Sequence, residues 1–285
     1  MIAPAQSVEP SWTLSGFGDE IDPDPGIQAA VLQALGARHI EVRSAWGINI
    51  VELDRSQLDR LATVLSDREM RVSAIASPVG KVDVAEEPEH ELERLKRAIT
   101  AASVLHARYI RIFSFYRGAG VAVEATRDSV LYRMRELTHL AEQSDVILLH
   151  ENEKDIYGDT PERVLDIIEA VGSDNLRVAW DNANFVQVGV EPHTRAYPLL
   201  RPYLEYLQVK DAVAATGEVV AAGEGDGELR ETLTSLRDDG YVGFASLEPH
   251  LADTNALGGF SGPGEFGRAA RAFARLTDQI GVQLV

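Results

Sequence analysis

The sequence predicts a single (β/α)8 barrel, and three observations lead to that prediction. Eight short apolar or β-branched runs alternate with longer amphipathic runs along the chain. No proline- or serine-rich linker and no low-complexity stretch divides the 285 residues. The composition, 45% hydrophobic and 25% charged, is typical of a chain that buries a large core. Strand followed by helix, eight times over, is the order of a closed barrel with a parallel sheet.

The elements follow from local patterns. We expect strands at 13–21, 39–45, 71–77, 109–115, 146–152, 176–182, 206–212 and 244–250. The segment 89–105 reads as a helix, because Leu92, Leu95 and Ile99 recur with helical spacing on one face. Another helix is expected after Thr160, since a threonine N-cap followed by proline favours a helix start. The barrel domain is expected over residues 13–285, preceded by an N-terminal arm, 1–12.

Composition excludes several classes of function. The chain contains no cysteine, so it has neither disulfides nor thiolate metal sites, and we expect a cytoplasmic protein. A formal net charge of −18 repels phosphate backbones and anionic lipids, so nucleic acid is not an expected partner. The sequence shows no basic leader that would suggest export, and no run of about 18 apolar residues that would suggest a membrane span.

Carboxylates stand at the ends of three predicted strands in one half of the barrel. In such barrels the chemistry takes place at the carboxyl ends of the strands. Glu151, Asp181 and Glu248 end strands 5, 6 and 8. Gln208 is the matching position on strand 7. Strand ends are often polar simply because loops are, but three like charges on one rim repel unless a cation holds them. The sequence therefore predicts one divalent metal ion, bound by these four residues.

The donor atoms indicate which metal and which chemistry to expect. Oxygen ligands without cysteine favour Mn²⁺ or Mg²⁺, while Co²⁺ and Zn²⁺ stay open. Such an ion could hold two adjacent oxygens of a sugar and stabilise an enediolate while a nearby carboxylate removes a proton. Glu151 and Glu248 are the candidates for that proton transfer.

Other polar and aromatic residues near the strand ends are candidates for substrate contact. They are Glu41, Arg43, Trp46, Lys81, Arg111, Tyr157, Asn184, Lys210 and His250. Each also has a structural interpretation: a pair of Lys210 with a ligand carboxylate fits the sequence equally well, as does a pair of Glu41 with Arg43 on the same strand face. The cations could bind a phosphate or carboxylate of the substrate, or pair with the many acids. The glycine-rich stretch AAGEGDGEL lacks the features of a nucleotide loop.

Taken together, these motifs resemble the sugar phosphate isomerase/epimerase group of the xylose isomerase-like TIM barrels. The stretches that carry the resemblance are SGFGDEIDPD, HIEVRS, SPVGKV, RIFSFY, HENEKDIYGDTPE, WDNANFVQVGVEP, YLQVKDA, AGEGDGEL and GYVGFASLEPHL. The resemblance implies the same metal ligands and the same acid/base pair, a small-molecule sugar as partner and a possible homodimer. Gln208 departs from the family, where many members have histidine. Asn184 stands where epimerases of free ketohexoses usually have histidine, which argues against ketohexose 3-epimerase activity.

The sequence leaves several functions open. The first is a metal-dependent sugar isomerase or epimerase. The second is a lyase or dehydratase that acts by the same enolisation on a keto-sugar, an inosose or a 3-keto-glycoside. An apurinic-site endonuclease of the same fold needs a basic groove and several histidine ligands, which seven histidines and a charge of −18 do not favour. The last is a barrel without catalytic activity.

Overall fold

Eight parallel strands form the barrel in the computed structural model, which describes residues 10–252 and 259–285. The strands are β1 (Ser11–Gly16), β2 (His39–Val42), β3 (Arg71–Ala76), β4 (Tyr109–Ile112), β5 (Ile147–Glu151), β6 (Leu176–Asp181), β7 (Leu204–Val209) and β8 (Phe244–Leu247). Each strand from β2 to β7 pairs in parallel with the next one, and β8 pairs with β1. A parallel bridge between Phe17 and Glu41 joins β1 to β2, so the ring is closed. The predicted fold is therefore confirmed.

Helices cover the outside of the barrel. They are α1 (Pro25–Ala34), α2 (Arg55–Ser66), α3 (Pro88–Leu105), α4 (Arg127–Glu142), α5 (Pro161–Val171), α6 (Asn182–Gln187), α7 (Tyr197–Leu200), α8 (Leu229–Asp238) and α9 (Gly262–Ile280). Their ends follow local sequence signals: α2 begins with a capping box between Asp54 and Gln57, and α5 begins at Pro161 and ends at a left-handed Gly172. Within the described ranges, no helix is both long and apolar enough to cross a bilayer.

The strands differ from their predicted limits mainly at their ends. Strand β4 was expected over 109–115 but ends at Ile112, because the chain beyond it bonds to the loop after β3. At the other end of the chain, β1 already includes Ser11 and Trp12, and the Trp12 indole donates to the Tyr241 carbonyl at 2.8 Å. Residues 1–9 of the expected N-terminal arm lie outside the described residues.

Aromatic rings fill the amino-terminal end of the barrel. Tyr206 on β7 and Phe244 on β8 lie with ring centroids 5.5 Å apart, and Tyr109 on β4 contacts both at 6.1 and 6.3 Å. Packed rings of this kind leave no open channel through the barrel. Polar side chains of the interior therefore collect toward the carboxyl ends of the strands.

The glycine-rich stretch wraps around a carboxylate of its own chain. Asp211, just after β7, accepts hydrogen bonds from the backbone N–H groups of Gly223, Gly225 and Gly227 at 2.9 to 3.1 Å. A Cβ atom at Gly225 or Gly227 would lie within 2.6 Å of Asp211 Oδ1, so only glycine fits there. The loop thus binds a carboxylate in place of a phosphate, and it fixes the chain that leaves β7.

Candidate active site

Three carboxylates meet at the carboxyl-terminal mouth of the barrel. Glu151 is the last residue of β5, Asp181 is the last of β6, and Glu248 directly follows β8. Each offers an oxygen within 4.8 Å of the other two, and all three side chains are buried. Parallel strands end at the same rim, which is why residues so distant in sequence converge.

Gln208 lies beside this cluster, and its side-chain amide makes no hydrogen bond. Its position on β7 is level with Asp181 on β6 and with Ser246 on β8. The side chain is fully buried, and neither Oε1 nor Nε2 has a hydrogen-bond partner. Burial of an amide without hydrogen-bond partners costs about 1–3 kcal/mol of folding free energy. We therefore expect a polar atom to contact the Gln208 amide in the working protein. The carbonyl oxygen of Gln208 is a suitable ligand for a hard cation.

Lys210 places an ammonium group between two of the carboxylates. Its Nζ lies 2.8 Å from Asp181 Oδ2 and 3.1 Å from Glu248 Oε2. Burial alone would raise the pKa of Glu248, but the charges of Lys210 and His250 hold it well below its usual range. Burial raises the pKa of Asp181 to about 7 despite Lys210, and the neighbouring charges of Glu151 and Glu248 add to that rise.

Glu151 is held in place from two sides. Arg111 on β4 donates to its Oε2 at 2.5 Å, and Asn184 on α6 donates to its Oε1 at 3.0 Å. The Asn184 amide also donates to the carbonyl of Asn152 at 2.8 Å, so both hydrogens are used within the chain. Asn184 therefore orients Glu151, whereas the sequence suggested a contact with substrate. Asn152 in turn exchanges two hydrogen bonds with the backbone of Asp181.

Charged residues from the segments after β1, β2 and β8 support Glu248. Arg43 lies 2.9 Å from Asp19 and 3.5 Å from Glu248. His250 Nε2 lies 3.2 Å from Glu20 and 3.3 Å from Glu248. Glu20, Glu248 and His250 form a second group of possible ligands, but the histidine already pairs with both carboxylates there. These contacts fix the direction in which Glu248 points.

A wall of three connected loops forms the side of the mouth above β3, β4 and β5. Backbone hydrogen bonds continue between the loops beyond the strands, from Phe115 to Gly80 and from Tyr116 to Val82, each at 2.9 Å. Gly80 is required, because a Cβ there would lie 2.1 Å from the carbonyl oxygen of Phe113. Lys81 lies 3.2 Å from Glu153 and 4.2 Å from the centroid of the Phe113 ring. These hydrogen bonds join the loops to one another, and Lys81 and Glu153 meet across them.

The charges at the mouth are consistent with a divalent ion. Among the described residues, six carboxylates and four permanently charged cations form ion pairs around the mouth: Asp19, Glu20, Glu151, Glu153, Asp181 and Glu248, with Arg43, Lys81, Arg111 and Lys210. When all six carboxylates are ionised, two negative charges are left over, apart from His250, and one divalent cation carries the opposite charge. Oxygen donors and an unpartnered amide carbonyl suit such an ion, so the residues fit a metal.

Glu41 lies one layer deeper than the sequence suggested. An ion pair with Arg43 was expected, but the two residues differ in height along β2, and Glu41 instead accepts from the Tyr206 hydroxyl at 3.0 Å. That hydroxyl also lies 2.9 Å from Ser73 Oγ. Burial raises the pKa of Glu41 to about 8, although Arg111 opposes the shift. Residues two apart on a strand share a face but are separated by roughly 7 Å, which explains the wrong pairing.

Two aromatic candidates lie apart from the carboxylates. The Tyr157 hydroxyl donates to Asp166 on α5 at 2.7 Å, so it points into the helical layer. Trp46 packs its ring against Arg60 of α2, whose guanidinium carbon is 4.6 Å from a Trp46 ring centroid. Both follow strand ends in sequence, but their loops turn them outward. We therefore do not assign either residue to the substrate site.

Sequence reasoning assigned no role to three acids of this site. Asp19 and Glu20 belong to the polar end of the first predicted strand, and Glu153 is the second glutamate of the stretch HENE. Each follows the carboxyl end of a barrel strand, and this position was the sequence signal that could have identified them. Their partners come from other strands, so the pairs could not be read from local spacing.

Comparison with known proteins gives one partial sequence relative and many structural neighbours. A 2-epi-5-epi-valiolone 7-phosphate 2-epimerase from Actinoplanes sp. is 31% identical over 144 residues, which is 50% of this chain and 51% of that protein. The chain thus matches about half the length of this curated relative. A xylose isomerase-like TIM barrel protein from Mycobacterium smegmatis in complex with magnesium has a TM-score of 0.68 and 20% identity, with 96% of this chain and 98% of that chain covered.

A third comparison leads to the same fold, and a sequence profile gives the family. A probable 3-DHS dehydratase from Bacillus anthracis has a TM-score of 0.72 and 19% identity, with 93% of this chain and 98% of that chain covered. At such identities the two structures show the fold alone. The sequence profile of the xylose isomerase-like TIM barrel family matches residues 29–276, which is most of the chain. The chain belongs to the xylose isomerase-like TIM barrel family.

Proposed function

We propose that the protein is a divalent-metal-dependent enzyme that isomerises or epimerises a sugar by removing a proton beside a carbonyl group. One observation carries the proposal: oxygens of Glu151, Asp181 and Glu248 lie within 4.8 Å of one another in a buried site. Buried carboxylates this close are strongly destabilising unless cations surround them. Their position at the carboxyl ends of barrel strands is where substrates of such enzymes bind.

Glu151, Asp181, Gln208 and Glu248 would hold the metal. The supporting observations are the carboxylate cluster and the buried Gln208 amide without partners. When bound, a divalent ion would act as a Lewis acid on adjacent oxygens of the sugar and lower the cost of negative charge on them. All four donors are oxygens if Gln208 binds through its carbonyl, and this set favours Mn²⁺ or Mg²⁺. The mycobacterial neighbour is a complex with magnesium, and another structural neighbour binds a zinc atom, so the choice of metal rests on the donor atoms of this chain.

The side chains around the metal ligands supply the proton transfer. Lys210 and His250 keep Glu248 ionised, so Glu248 is suited to take the proton from the carbon beside the carbonyl. Glu151, oriented by Arg111 and Asn184, would deliver a proton to the opposite face of that carbon in an epimerisation. Delivery to the neighbouring carbon would give an isomerisation. In an epimerisation one C–H bond breaks, one C–H bond forms at the same carbon, and the two glutamates exchange protonation states. In an isomerisation a hydroxyl proton also passes from the oxygen of the deprotonated carbon to the former carbonyl oxygen.

The relatives support a carbohydrate substrate. The Actinoplanes protein is by its name a 2-epimerase of 2-epi-5-epi-valiolone 7-phosphate, and the bacillus protein is a probable 3-DHS dehydratase. A dehydratase begins with the same proton removal and differs in the fate of the intermediate, which loses water. The chemistry at Glu151 and Glu248 therefore allows both outcomes, and product analysis distinguishes them.

The test is to replace each proposed acid/base residue by its neutral isostere. In Glu151→Gln and Glu248→Gln, we expect proton exchange at the substrate carbon to fall about 10²- to 10⁴-fold, because a glutamine cannot transfer the proton. Exchange is measured by mass spectrometry in D₂O with Mg²⁺ or Mn²⁺, on keto-sugars, inososes and 3-keto-glycosides. Glu169→Gln, an exposed site on α5, is the matched control. Near-normal exchange in both site variants, or exchange that survives exhaustive chelation, refutes the proposal.

A further inference from the structure

We propose that the mouth of the barrel has a second divalent-cation site, formed by Glu20, Glu248 and His250. It would lie beside the site proposed at Glu151 and Asp181, on the side of Glu248 that faces the segments after β1 and β8. One imidazole nitrogen and two carboxylate oxygens suit Zn²⁺, and three protein ligands leave a fourth position open. The inference goes beyond the proposed function, which needs one ion, and it concerns ion binding alone.

The donor atoms of these three residues converge without forming hydrogen bonds. His250 Nε2 lies 3.2 Å from Glu20 Oε1 and 3.3 Å from Glu248 Oε1. Despite this closeness, neither Glu20 Oε1 nor His250 Nε2 has a hydrogen-bond partner among the described residues. Donor atoms bound tetrahedrally at about 2.0–2.1 Å from one zinc ion are about 3.3 Å apart. The spacing is therefore that of donors around a cation.

The two oxygens of Glu20 have different surroundings. Oε2 accepts hydrogen bonds from the backbone N–H of His250 and from the Ser261 hydroxyl, each at 2.8 Å. Oε1 accepts none from the described part of the chain, although the Glu20 side chain is fully buried. A buried carboxylate oxygen without a hydrogen bond costs free energy, which a bound cation would recover. The contacts of Oε2 thus fix Glu20 with its other oxygen turned toward His250.

The His250 ring is held in place by its backbone and by a glycine. His250 has a φ of 47°, in the left-handed region. A Cβ atom at Gly259 would lie 2.1 Å from His250 Cδ2, so only glycine leaves room for the ring. Arg43 in turn donates to the Gly259 carbonyl at 3.2 Å. Without an ion, the imidazole needs a proton to pair with both carboxylates, and the ion would take the place of that proton.

Glu248 turns its two oxygens toward different groups. Oε2 lies 3.1 Å from Lys210, whose Nζ also contacts Asp181 of the first group of ligands. Oε1 lies 3.3 Å from His250 and 3.5 Å from Arg43. One carboxylate can therefore bind both ions, as in two-metal sites whose ions lie about 3.5–4 Å apart. Two divalent ions carry more positive charge than the paired carboxylates leave over, so the second ion should bind more weakly than the first.

The experiment uses Co²⁺, which replaces Zn²⁺ and shifts the NMR signals of its ligands. Equilibrium dialysis of the chelator-stripped protein against saturating Co²⁺ should give two bound ions per chain. Proton NMR should show one shifted imidazole N–H signal, because the first site contains no histidine. Asparagine tolerates the left-handed backbone but cannot place a donor at the position of Nε2. In His250→Asn, the signal should disappear and the affinity for the second ion should fall at least about 100-fold, since even residues outside the ligand shell contribute about 10–100-fold.

Three further variants make the test specific. His139→Asn, at an exposed histidine on α4, is the matched control and should keep both ions and the shifted signal. Asp181→Asn weakens the first site and should keep the imidazole signal. Glu20→Gln preserves the shape of the ligand but removes its charge, so the second ion should bind at least about tenfold more weakly. Urea unfolding of each variant shows that the loss of an ion is not a loss of fold.

Two results would overturn the inference. One is a single bound Co²⁺ ion in the unaltered protein. The other is a shifted imidazole signal that persists in folded His250→Asn or disappears in His139→Asn, since the ion would then bind another histidine. Failure of the proposed function looks different: a protein with two bound ions that exchanges no substrate proton in D₂O would refute that function and leave the second site in place.

Discussion

Two buried polar layers inside the same barrel stabilise their carboxyl groups in opposite ways, one by hydrogen bonds to hydroxyl groups and the other by ion pairs. The deeper layer holds Glu41 with Tyr206 and Ser73, joined by hydrogen bonds between hydroxyls and a carboxyl group. The layer at the mouth holds Glu248 and its neighbours, joined by ion pairs. Both glutamates are fully buried, but burial raises the pKa of Glu41 to about 8 while nearby cations keep that of Glu248 well below its usual range.

The difference shows that burial alone does not decide the protonation of a carboxyl group in this protein. Glu41 has Arg111 in its vicinity, but that guanidinium is engaged with Glu151. Glu248 has Lys210 in direct contact and His250 beside it. A contacting cation offsets the loss of hydration, and a distant one does so only in part. The carboxyl group of the deeper layer is therefore neutral at pH 7, while Glu248 at the mouth stays ionised, as the proposed proton transfer requires.

Removing the central cation of the mouth should have the largest effect. In Lys210→Met, Asp181 and Glu248 lose their shared partner, and we expect a loss of about 3–5 kcal/mol in the free energy of unfolding. The measurement is urea unfolding in the presence of EDTA. Lys96→Met, at an exposed site on α3, is the control and should change stability by less than about 1 kcal/mol.

Metal addition sharpens this test. If a divalent ion binds to the same carboxylates, saturating Mn²⁺ should stabilise Lys210→Met more than the unaltered protein, because the ion takes over the neutralising role of the ammonium. At one hundred times the Kd, binding contributes about 2.7 kcal/mol. Equal stabilisation of both proteins would show that the ion does not bind near Lys210.

For the deeper layer we predict a contribution to stability that falls as pH rises. Because the pKa of Glu41 is raised from 4.5 to about 8, the folded state holds a proton that the unfolded state has lost between those values. This residue therefore lowers stability as pH rises from 4.5 to 8, by up to about 1.4 kcal/mol per pH unit. Glu41→Gln should remove that slope. The difference in unfolding free energy between the variant and the unaltered protein should therefore grow in favour of the variant as pH rises from 4.5 to 8, and stay constant at higher pH.

Unfolding curves at pH 5, 7 and 8.5 check this prediction. Glu169→Gln on the exposed side of α5 is the control and should have the same pH dependence as the unaltered protein. A Glu41→Gln variant that loses stability with rising pH as steeply as the unaltered protein would contradict the assignment, because the titrating group would then lie elsewhere.

The fold was predictable because its signals are local and repeated. Each of the eight strands is a short apolar run between amphipathic segments, and errors were confined to the strand ends. The proposed ligands were found in the same way, since Glu151, Asp181 and Glu248 each stand where a strand turns polar. Barrel geometry brings such positions to one rim, so strand order alone placed them together.

Pairings between strands were not predictable, because they depend on height in the barrel and on the direction of loops. Glu41 and Arg43 share a face of β2, but one lies in the deeper layer and the other at the mouth. Lys81 and Glu153 meet only because the loops after β3, β4 and β5 continue to pair beyond the strands. No spacing within one segment contains that information.

The smallest expected effect lies outside both layers, at Tyr157. Its hydroxyl donates to Asp166, which also binds Arg127 of α4 at 2.6 Å, so this residue joins two helices of the outer layer. Tyr157→Phe should cost about 1 kcal/mol of unfolding free energy and leave proton exchange within about twofold of normal. Asp166→Asn, which weakens the same contact from the other side, should have a similar effect on stability and none on exchange. A tenfold loss of exchange in Tyr157→Phe, without loss of stability, would instead place its ring at the substrate, as the sequence suggested.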